Sequence, residues 1–509
     1  MPAPHEAGIK QPPATQVWNA LVAVLFLALA STLCLIVQWR YAIFRNGVDL
    51  GIFTQVVAGL GHGFSSTPEG RVSHLLAHWS PIIAAAWPFV RAFGPVGLEY
   101  LQAVLVAAVL FPIWGLARTR FRPPVAFALV AIAALYPILW ANGVGDFHEM
   151  AFVPLLSATL VYALDGRRWT MSVLAALLLS CTKEDQFVVL AANGLFFAAT
   201  ARDDAQAKRT GWVIAGLAIV MAFVYFGVVR PALNPQVPYE SLRFFNWTAI
   251  QGGGQDSVWA ILLTRIKYVL IVLAPVAFLP CVSRYGLFLI PGFVVILAAH
   301  QPVTIMPGAH YSALLTGYAL AGFVDGASRL AAQNLRLVKG LVAAAAVTSI
   351  AVGIFASPME YWYYLYRRPN AHDALLEATL RQLPPRADVG AEDEIFAHLG
   401  LDPNASINFA GQQWFVYDRT HYSTRWREID EPAVQRALAG REYVVTHDRD
   451  GIVVLKRVVT SRGASANATA EGRAAACTAL ASADGCRRAA AQEDSSGDWG
   501  RARGCRASA

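Results

Sequence analysis

Charge is scarce in this chain. Lys, Arg, Asp and Glu make up 15% of 509 residues while apolar types make up 56%, against roughly a quarter charged in an ordinary soluble domain. A water-soluble globule has no use for that much apolar surface, so a single soluble domain is excluded. Cysteine is sparse too: Cys34, Cys181 and Cys281 lie within apolar stretches, and Cys477, Cys486 and Cys505 lie near the C-terminal end. Their spacing forms neither a zinc signature nor a redox pair. Glycine runs of the phosphate-binding kind are lacking, because Gly252-Gly253-Gly254 follows no strand. No internal repeat is visible. The net charge of +7 does not call for nucleic acid, since basic residues beside apolar segments are accounted for by membrane orientation and anionic lipid.

What the chain has instead is long uncharged blocks. Crossing about 30 Å of hydrocarbon takes roughly 18 or more apolar residues. Trp18 to Trp39, Tyr100 to Ala117, Pro123 to Gly145, Thr210 to Val229 and Gly340 to Met359 each meet that length. The first is too long for the apolar region of a cleaved signal peptide and reads as a retained helix. Met150 to Leu164, Trp169 to Thr182, Gln186 to Ala201 and Tyr268 to Ser283 are shorter and span if their flanks snorkel. Tyr285 to Val324 divides into two at Gln301, Pro302, Pro307 and Gly308. The expectation is an all-α polytopic bundle of about eleven helices over residues 17–359, preceded by a cytoplasmic segment, 1–16.

Lys and Arg stay in cytoplasmic loops. Here they cluster at Arg118, Arg120 and Arg122, at Arg167 and Arg168, at Arg202, Lys208 and Arg209, at Arg284, and at Arg329, Arg336 and Lys339. These are every second loop, provided that Ser80 to Phe93 lies at the surface or re-enters. The other loops, extracytoplasmic by this alternation, include residues 41–99 and 230–267 and collect unusual polar residues. Asn46-Gly47-Val48-Asp49 follows the first span, Gly145-Asp146-Phe147-His148-Glu149 follows the third, and Lys183-Glu184-Asp185 joins two short spans. Each taken alone has a plain explanation: Asp49 as a helix cap, Lys183 paired with a neighbouring acid, Asp146 to Glu149 as a solvated loop. Their meeting at one face argues for a site, because an ionisable residue near a membrane is usually paired or functional.

After Met359 the aromatics Tyr361, Trp362, Tyr363, Tyr364 and Tyr366 form an interfacial belt. Charge then returns, and residues 360–458 read as a small extracytoplasmic α/β module. Ala371 to Leu383 is patterned as an amphipathic helix, and Tyr443 to Thr446 and Ile452 to Leu455 as strands joined through Asp450-Gly451. Residues 459–509, rich in Ala, Arg, Ser and Gly without periodicity, read as a disordered tail.

The ordered set Asp49-Leu50-Gly51-Ile52-Phe53-Thr54-Gln55, His78-Trp79-Ser80-Pro81, Asp146-Phe147-His148-Glu149, Lys183-Glu184-Asp185 and the closing Asp450 to Arg457 resembles a family of prokaryotic polytopic membrane proteins. That family is catalogued as domain of unknown function 2079, and it in turn resembles the GT-C superfamily of membrane glycosyltransferases. The resemblance implies a sugar donor carried on a polyprenyl phosphate, membrane lipid as a partner and an acidic residue on each of the first two outer loops. Asp49 and Asp146 stand in those places, one as general base and the other as second acid, and an aspartate in such enzymes also serves to hold a divalent metal. Gln55, His78, His148, Glu149, Lys183, Glu184, Asp185, His310 and Tyr311 are the candidate substrate-binding residues. Leaving phosphate needs cations or donors as its bond breaks, for which Lys183, His310, Arg230, Arg243 and Arg265 are candidates. His74 and His78 share a helical face at i and i+4, but nothing nearby completes a metal signature, and no metal ligand is assigned. The inner (plasma) membrane is the expected location. Two other classes stay open: a proton-coupled transporter, and a non-catalytic receptor or scaffold.

Overall fold

The computed structural model describes residues 13–234, 239, 258–299, 301–356, 367–407, 409–420 and 430–458. Arg243, the glycine run, the Tyr361–Tyr366 belt and the C-terminal tail lie outside the described residues.

The uncharged blocks become helices. The first, α1 (Pro13–Ala42), is followed by the shorter helices α2 (Val48–Ala58) and α3 (Trp87–Phe93). The chain then crosses through α4 (Val96–Ala108) and α5 (Leu110–Ala117), and returns through α6 (Pro123–Ala134) and α7 (Pro137–Val144). Pro137 cannot donate to the preceding turn, and the axis bends by 52° between the last two. Next come α8 (Val153–Asp165), α9 (Trp169–Ser180), α10 (Asp185–Thr200), α11 (Ala205–Phe223), α12 (Arg230–Leu233), α13 (Val258–Leu273), α14 (Leu289–Ala298), α15 (Ala313–Ala331) and α16 (Leu335–Ala351).

Among the described residues, five helical segments are long and apolar enough to cross a membrane, six if the bent α6–α7 pair counts as one span. Others, including α9, α10 and the helix that ends at Ala298, are apolar but shorter. The expected eleven therefore divides into a firm set of long spans and a set whose length alone does not establish a crossing. Ser80 to Phe93 is a 3-10 turn continued by α3 rather than a full span.

Small residues let the helices approach. A methyl group on Gly194 of α10 would come within 2.6 Å of the Gly211 carbonyl of α11, and the reverse is equally true, the close backbone approach typical of membrane helices. The bundle core includes Leu33, Ile113, Tyr136, Leu139, Tyr318 and Phe323. At one end Arg120 bridges Asp165 and Asp325, Arg284 reaches both acids, and Tyr285 donates to Asp165. These groups sit at the ends of α5, α8 and α15 opposite to the ends that carry Glu99, Glu149 and His310.

The C-terminal module is α/β as expected. It contains α17 (Ala371–Leu380), β1 (Val389–Ala391), α18 (Asp393–Leu399), β2 (Ser406–Ile407), β3 (Trp414–Asp418), α19 (Glu431–Ala439), β4 (Tyr443–Arg449) and β5 (Ile452–Arg457). The sheet order is β2-β1-β3-β5-β4, with β1 parallel to β2 and β3, and β5 antiparallel to β3 and β4. Asp450 and Gly451 both take positive φ, 54° and 85°, the geometry a two-residue hairpin with Asp-Gly demands. Helix α17 stops at Leu380, three residues short of the amphipathic pattern, and opens with a reciprocal Asn370/Asp373 capping box.

The module's core is closed from outside: Phe44, from the turn after α1, is buried in it beside Leu376, Val389, Phe396, Val416 and Ile452. His398 is sandwiched between the rings of Tyr41 and Phe44, with centroids 3.9 and 3.8 Å away. Trp39 donates its indole N–H to the Arg367 carbonyl at 2.6 Å, and Arg45 pairs with Glu394 at 3.3 Å.

Candidate functional site

Polar groups from five separated segments meet where the outer loops return to the bundle. Asp146 forms the frame. Its carboxylate pairs with the buried Arg40 guanidinium, and it accepts from the Gly47 backbone N–H at 2.7 Å and from the Asn46 side-chain amide at 3.2 Å. Arg40 also donates to the Arg45 and Val144 carbonyls at 2.8 and 2.7 Å. Asn46 reaches on to Glu99 at 3.0 Å, and Glu99 accepts from the Phe147 N–H at 3.2 Å. A methyl group on Gly47 would sit 2.6 Å from the Asp146 carboxylate, so glycine is required for that approach. The result is a pinned N-terminus for α2.

Asp49 lies in the first turn of α2. Together with Asp146, Gln102, Asn142, His310 and the apolar Met150, Val303 and Met306, it lines a cavity of about 150 Å³. Among the described residues, lysine and arginine are absent from that lining. Among the described residues the Asp49 carboxylate makes no hydrogen bond or ion pair. Burial pushes its pKa up to about 7, with Asp146 and Glu149 adding to the rise and Lys183 and His78 opposing it.

Behind the cavity runs a second layer of titratable groups. The His310 and His148 rings stack with centroids 3.5 Å apart. Glu149 lies between His148, 2.9 Å from its Nδ1, and Lys183, 3.2 Å from its Nζ. Those separations are ion-pair distances without hydrogen-bond alignment, and both Glu149 oxygens and His310 Nε2 are buried without a hydrogen-bond partner among the described residues. Lys183 also sits 5.1 Å over the Tyr311 ring. Burial alone raises the Glu149 pKa, but His148 and Lys183 outweigh it and hold the carboxyl well below the usual range. Burial likewise lowers Lys183, yet Glu149 and its neighbours keep it above an ordinary lysine. His148 goes the other way, down to about 4, because burial dominates and Lys183 reinforces it. At neutral pH, Glu149 and Lys183 are therefore an ion pair beside a neutral imidazole stack.

The remaining candidates sit around this core. His78 shares a 2.9 Å contact with Glu184, which also accepts from the Trp79 N–H at 2.9 Å and the Tyr239 hydroxyl at 2.8 Å. Burial and Lys183 depress the His78 pKa, but Glu184 outweighs them and raises it. His74 contacts Glu69 at 2.6 Å and lies 5.9 Å, ring to ring, from His78. Asp185 opens α10 beside Lys183. Arg230 donates to the Leu76 carbonyl at 3.1 Å and lies 5.0 Å over Tyr239, while Arg265 caps the carbonyls of Leu297 and Ala299.

Two expectations change. Gln55 does not face the cavity: its amide N–H groups donate to the Asp402 and Ala405 carbonyls at 2.8 and 2.9 Å and its oxygen accepts from Thr67 N–H at 2.9 Å, which makes it a tether for the module. Lys183 does not line the cavity either, being 3% exposed and matched by Glu149. Sequence reading missed Arg40, Glu99, Gln102 and Asn142. Arg40 ends the first span, where a basic residue reads as an orientation marker, and the other three lie within or beside apolar helices with no motif around them. Among the described residues, no three His, Cys, Asp or Glu side chains converge in a way that would hold a metal ion, and of the two cavity carboxylates Asp146 is taken up by Arg40, Asn46 and Gly47. The described residues of the cavity therefore do not fit a metal.

A helical bundle with a carboxylate-lined cavity under α2 and a small α/β module packed on α2 is a fold shared with solved membrane-protein structures. The chain belongs to the family described as predicted membrane protein (DUF2079), whose model matches residues 40–454. Among solved structures it is similar to ArnT from Cupriavidus metallidurans in the apo state, with a TM-score of 0.54, 14% identity, 87% of this chain and 98% of that chain covered. The same protein bound to undecaprenyl phosphate matches with a TM-score of 0.54, 14% identity and coverage of 86% and 98%. At that identity the likeness is one of fold. The Archaeoglobus fulgidus oligosaccharyltransferase tethered with an acceptor peptide matches more loosely, with a TM-score of 0.36, 11% identity and coverage of 85% and 74%. No curated protein matches the sequence.

Proposed function

We propose that the protein is a membrane glycosyltransferase that moves a sugar from a polyprenyl-phosphate donor to an acceptor hydroxyl at the extracytoplasmic face of the inner membrane. The observation that carries this reading is Asp49: a cavity-facing carboxyl, unengaged among the described residues, with its pKa at about 7. A general base works best when its pKa lies near the working pH. In the reaction the acceptor oxygen bonds to the anomeric carbon and its proton passes to Asp49. The bond from that carbon to the phosphate oxygen breaks, and the polyprenyl phosphate leaves with the electron pair. His310, on the cavity wall with Nε2 unpartnered, supplies a donor for the departing phosphate, and Lys183 lends positive charge from behind Tyr311. Asp146, saturated by Arg40, Asn46 and Gly47, acts as the brace that holds α2 rather than as a second acid. The basic residues at the opposite end of the bundle support the orientation, with the module on the extracytoplasmic side.

The test is Asp49→Asn in full-length protein reconstituted with polyprenyl-phosphate sugars and a panel of acceptors. The variant should bind undecaprenyl phosphate like the unaltered protein, in native mass spectrometry, and should lose sugar release from the donor by about 100-fold or more. Retained release sinks the assignment. A second reading has one observation in its favour: the row formed by His74, His78, His148 and His310, the first three each paired with a carboxylate, Glu69, Glu184 and Glu149, is of the kind that lines proton paths in transporters. It requires proton-coupled solute uptake into proteoliposomes that depends on Glu149.

A further inference from the structure

Helix α2 has two working faces. Successive residues advance by about 100° around an α-helix. Asp49 and Phe53 therefore fall on one side, while Gly51, Thr54 and Gln55 fall on the opposite side. On the first side Asp49 lines the cavity and Phe53 packs edge-on to Phe147, His148 and His74, at 5.6, 5.1 and 5.4 Å between centroids. On the other side α2 meets the C-terminal module, with Thr67 beside it at Gln55. A methyl group on Gly51 would lie 2.5 Å from the Phe396 ring, and one on Gly400 would lie 2.8 Å from Thr54 Cβ and 3.1 Å from the Gly51 carbonyl. Gln55 is held by the carbonyls of Asp402 and Ala405. Phe396 is fully buried, so this face has no slack.

We propose that the C-terminal module is a structural component of the catalytic site, with Phe396, Gly51 and Gln55 as positioning residues that set where Asp49 stands in the cavity. Asp146 fixes the N-terminus of α2, and Leu50, Phe53, Val56 and Val57 pack its inner side, which leaves the face at Gly51, Thr54 and Gln55 to be backed. The module backs that face, at Gly51, Thr54 and Gln55. It grips the approach to α2 as well, through the His398 sandwich and the Arg45–Glu394 pair. The short motif beginning at Asp49 thus combines one chemical residue with several that seat the helix carrying it. The kinetic arm of this proposal rests on Asp49 being the base; the positional arm does not.

The experiment uses full-length protein in nanodiscs with its native cysteines replaced, carrying Asp49→Cys as a reporter. Modification by a maleimide is timed with and without Phe396→Ala, which removes the ring, and with Phe396→Leu, which largely refills the space. The expected result is a change of about tenfold in the labelling rate with Phe396→Ala and a return to within about twofold with Phe396→Leu. Size-exclusion profiles and protection of the module from protease confirm that the variants are folded. An unchanged rate in folded Phe396→Ala protein overturns the proposal, whatever the activity. In the otherwise unaltered enzyme, Gln55→Ala should lower kcat while leaving KM for the lipid donor unchanged, with the pH midpoint moving down toward an ordinary carboxylate. If the labelling rate responds but Asp49→Asn retains sugar transfer, the positional proposal stands and the assignment of the base fails.

Discussion

At the scale of single residues, two aspartates of the same type have opposite work because their partners differ. Asp146 is saturated by a buried guanidinium, a backbone N–H and an amide, while Asp49 is left to the cavity. Breaking a largely buried ion pair by removing one partner costs about 3–5 kcal/mol. Arg40→Ala should therefore lower the melting temperature sharply, and Arg40→Met combined with Asp146→Leu should recover part of the loss. Asp49→Asn should do the reverse. Its folded pKa of about 7 lies above the unfolded value of about 3.9, so the folded state holds the proton more tightly and stability falls as pH rises through that interval. The amide escapes this, and the variant should melt roughly 2–4 °C higher than the unaltered protein at pH 8, an advantage that vanishes below about pH 4. Sugar transfer by the unaltered protein should rise with pH to a half-maximum near 7, read from a pH profile of kcat/KM.

At the scale of elements, much was legible. Uncharged blocks located α1, α4–α5, α6–α7, α11 and α16, and Asp450-Gly451 located the β4–β5 hairpin, because membrane crossing and tight turns each impose a local composition. Partners were not legible. Gln55 reads as a polar residue beside a charged motif, yet its acceptors are carbonyls some 350 positions away. Lys183 was found, but its neutralisation by Glu149 depends on two loops packing against each other. Glycine positions show the same limit: Gly194 looks like any glycine in a span until Gly211 is opposite. Gly194→Leu should force α10 and α11 apart at a cost of about 1–3 kcal/mol, seen as a lower melting temperature in detergent with sugar transfer falling in parallel.

At the scale of the whole molecule, the polar site and the Arg120–Asp165–Asp325 network occupy opposite ends of the same helices. The orientation is open to a direct test. Val444, on the exposed edge of the module, and Arg118, beyond α5, are both solvent-facing. In a cysteine-free background Val444→Cys should react with a membrane-impermeant maleimide on intact cells, while Arg118→Cys should react only after permeabilisation.

The sheet order has a consequence for biosynthesis. Strand β5 is last in the sequence, yet it lies inside the sheet between β3 and β4. β3 can pair with β1 as soon as both are made, but its other edge and the whole of β4 have nothing to pair with until residues 452–457 have left the ribosome and emerged. The sheet of the module that backs α2 is then finished last, after the helices of the bundle have been made. A chain cut short between Ala351 and Ile452 therefore carries the helices of the bundle but leaves β3 and β4 unjoined in the module that backs α2.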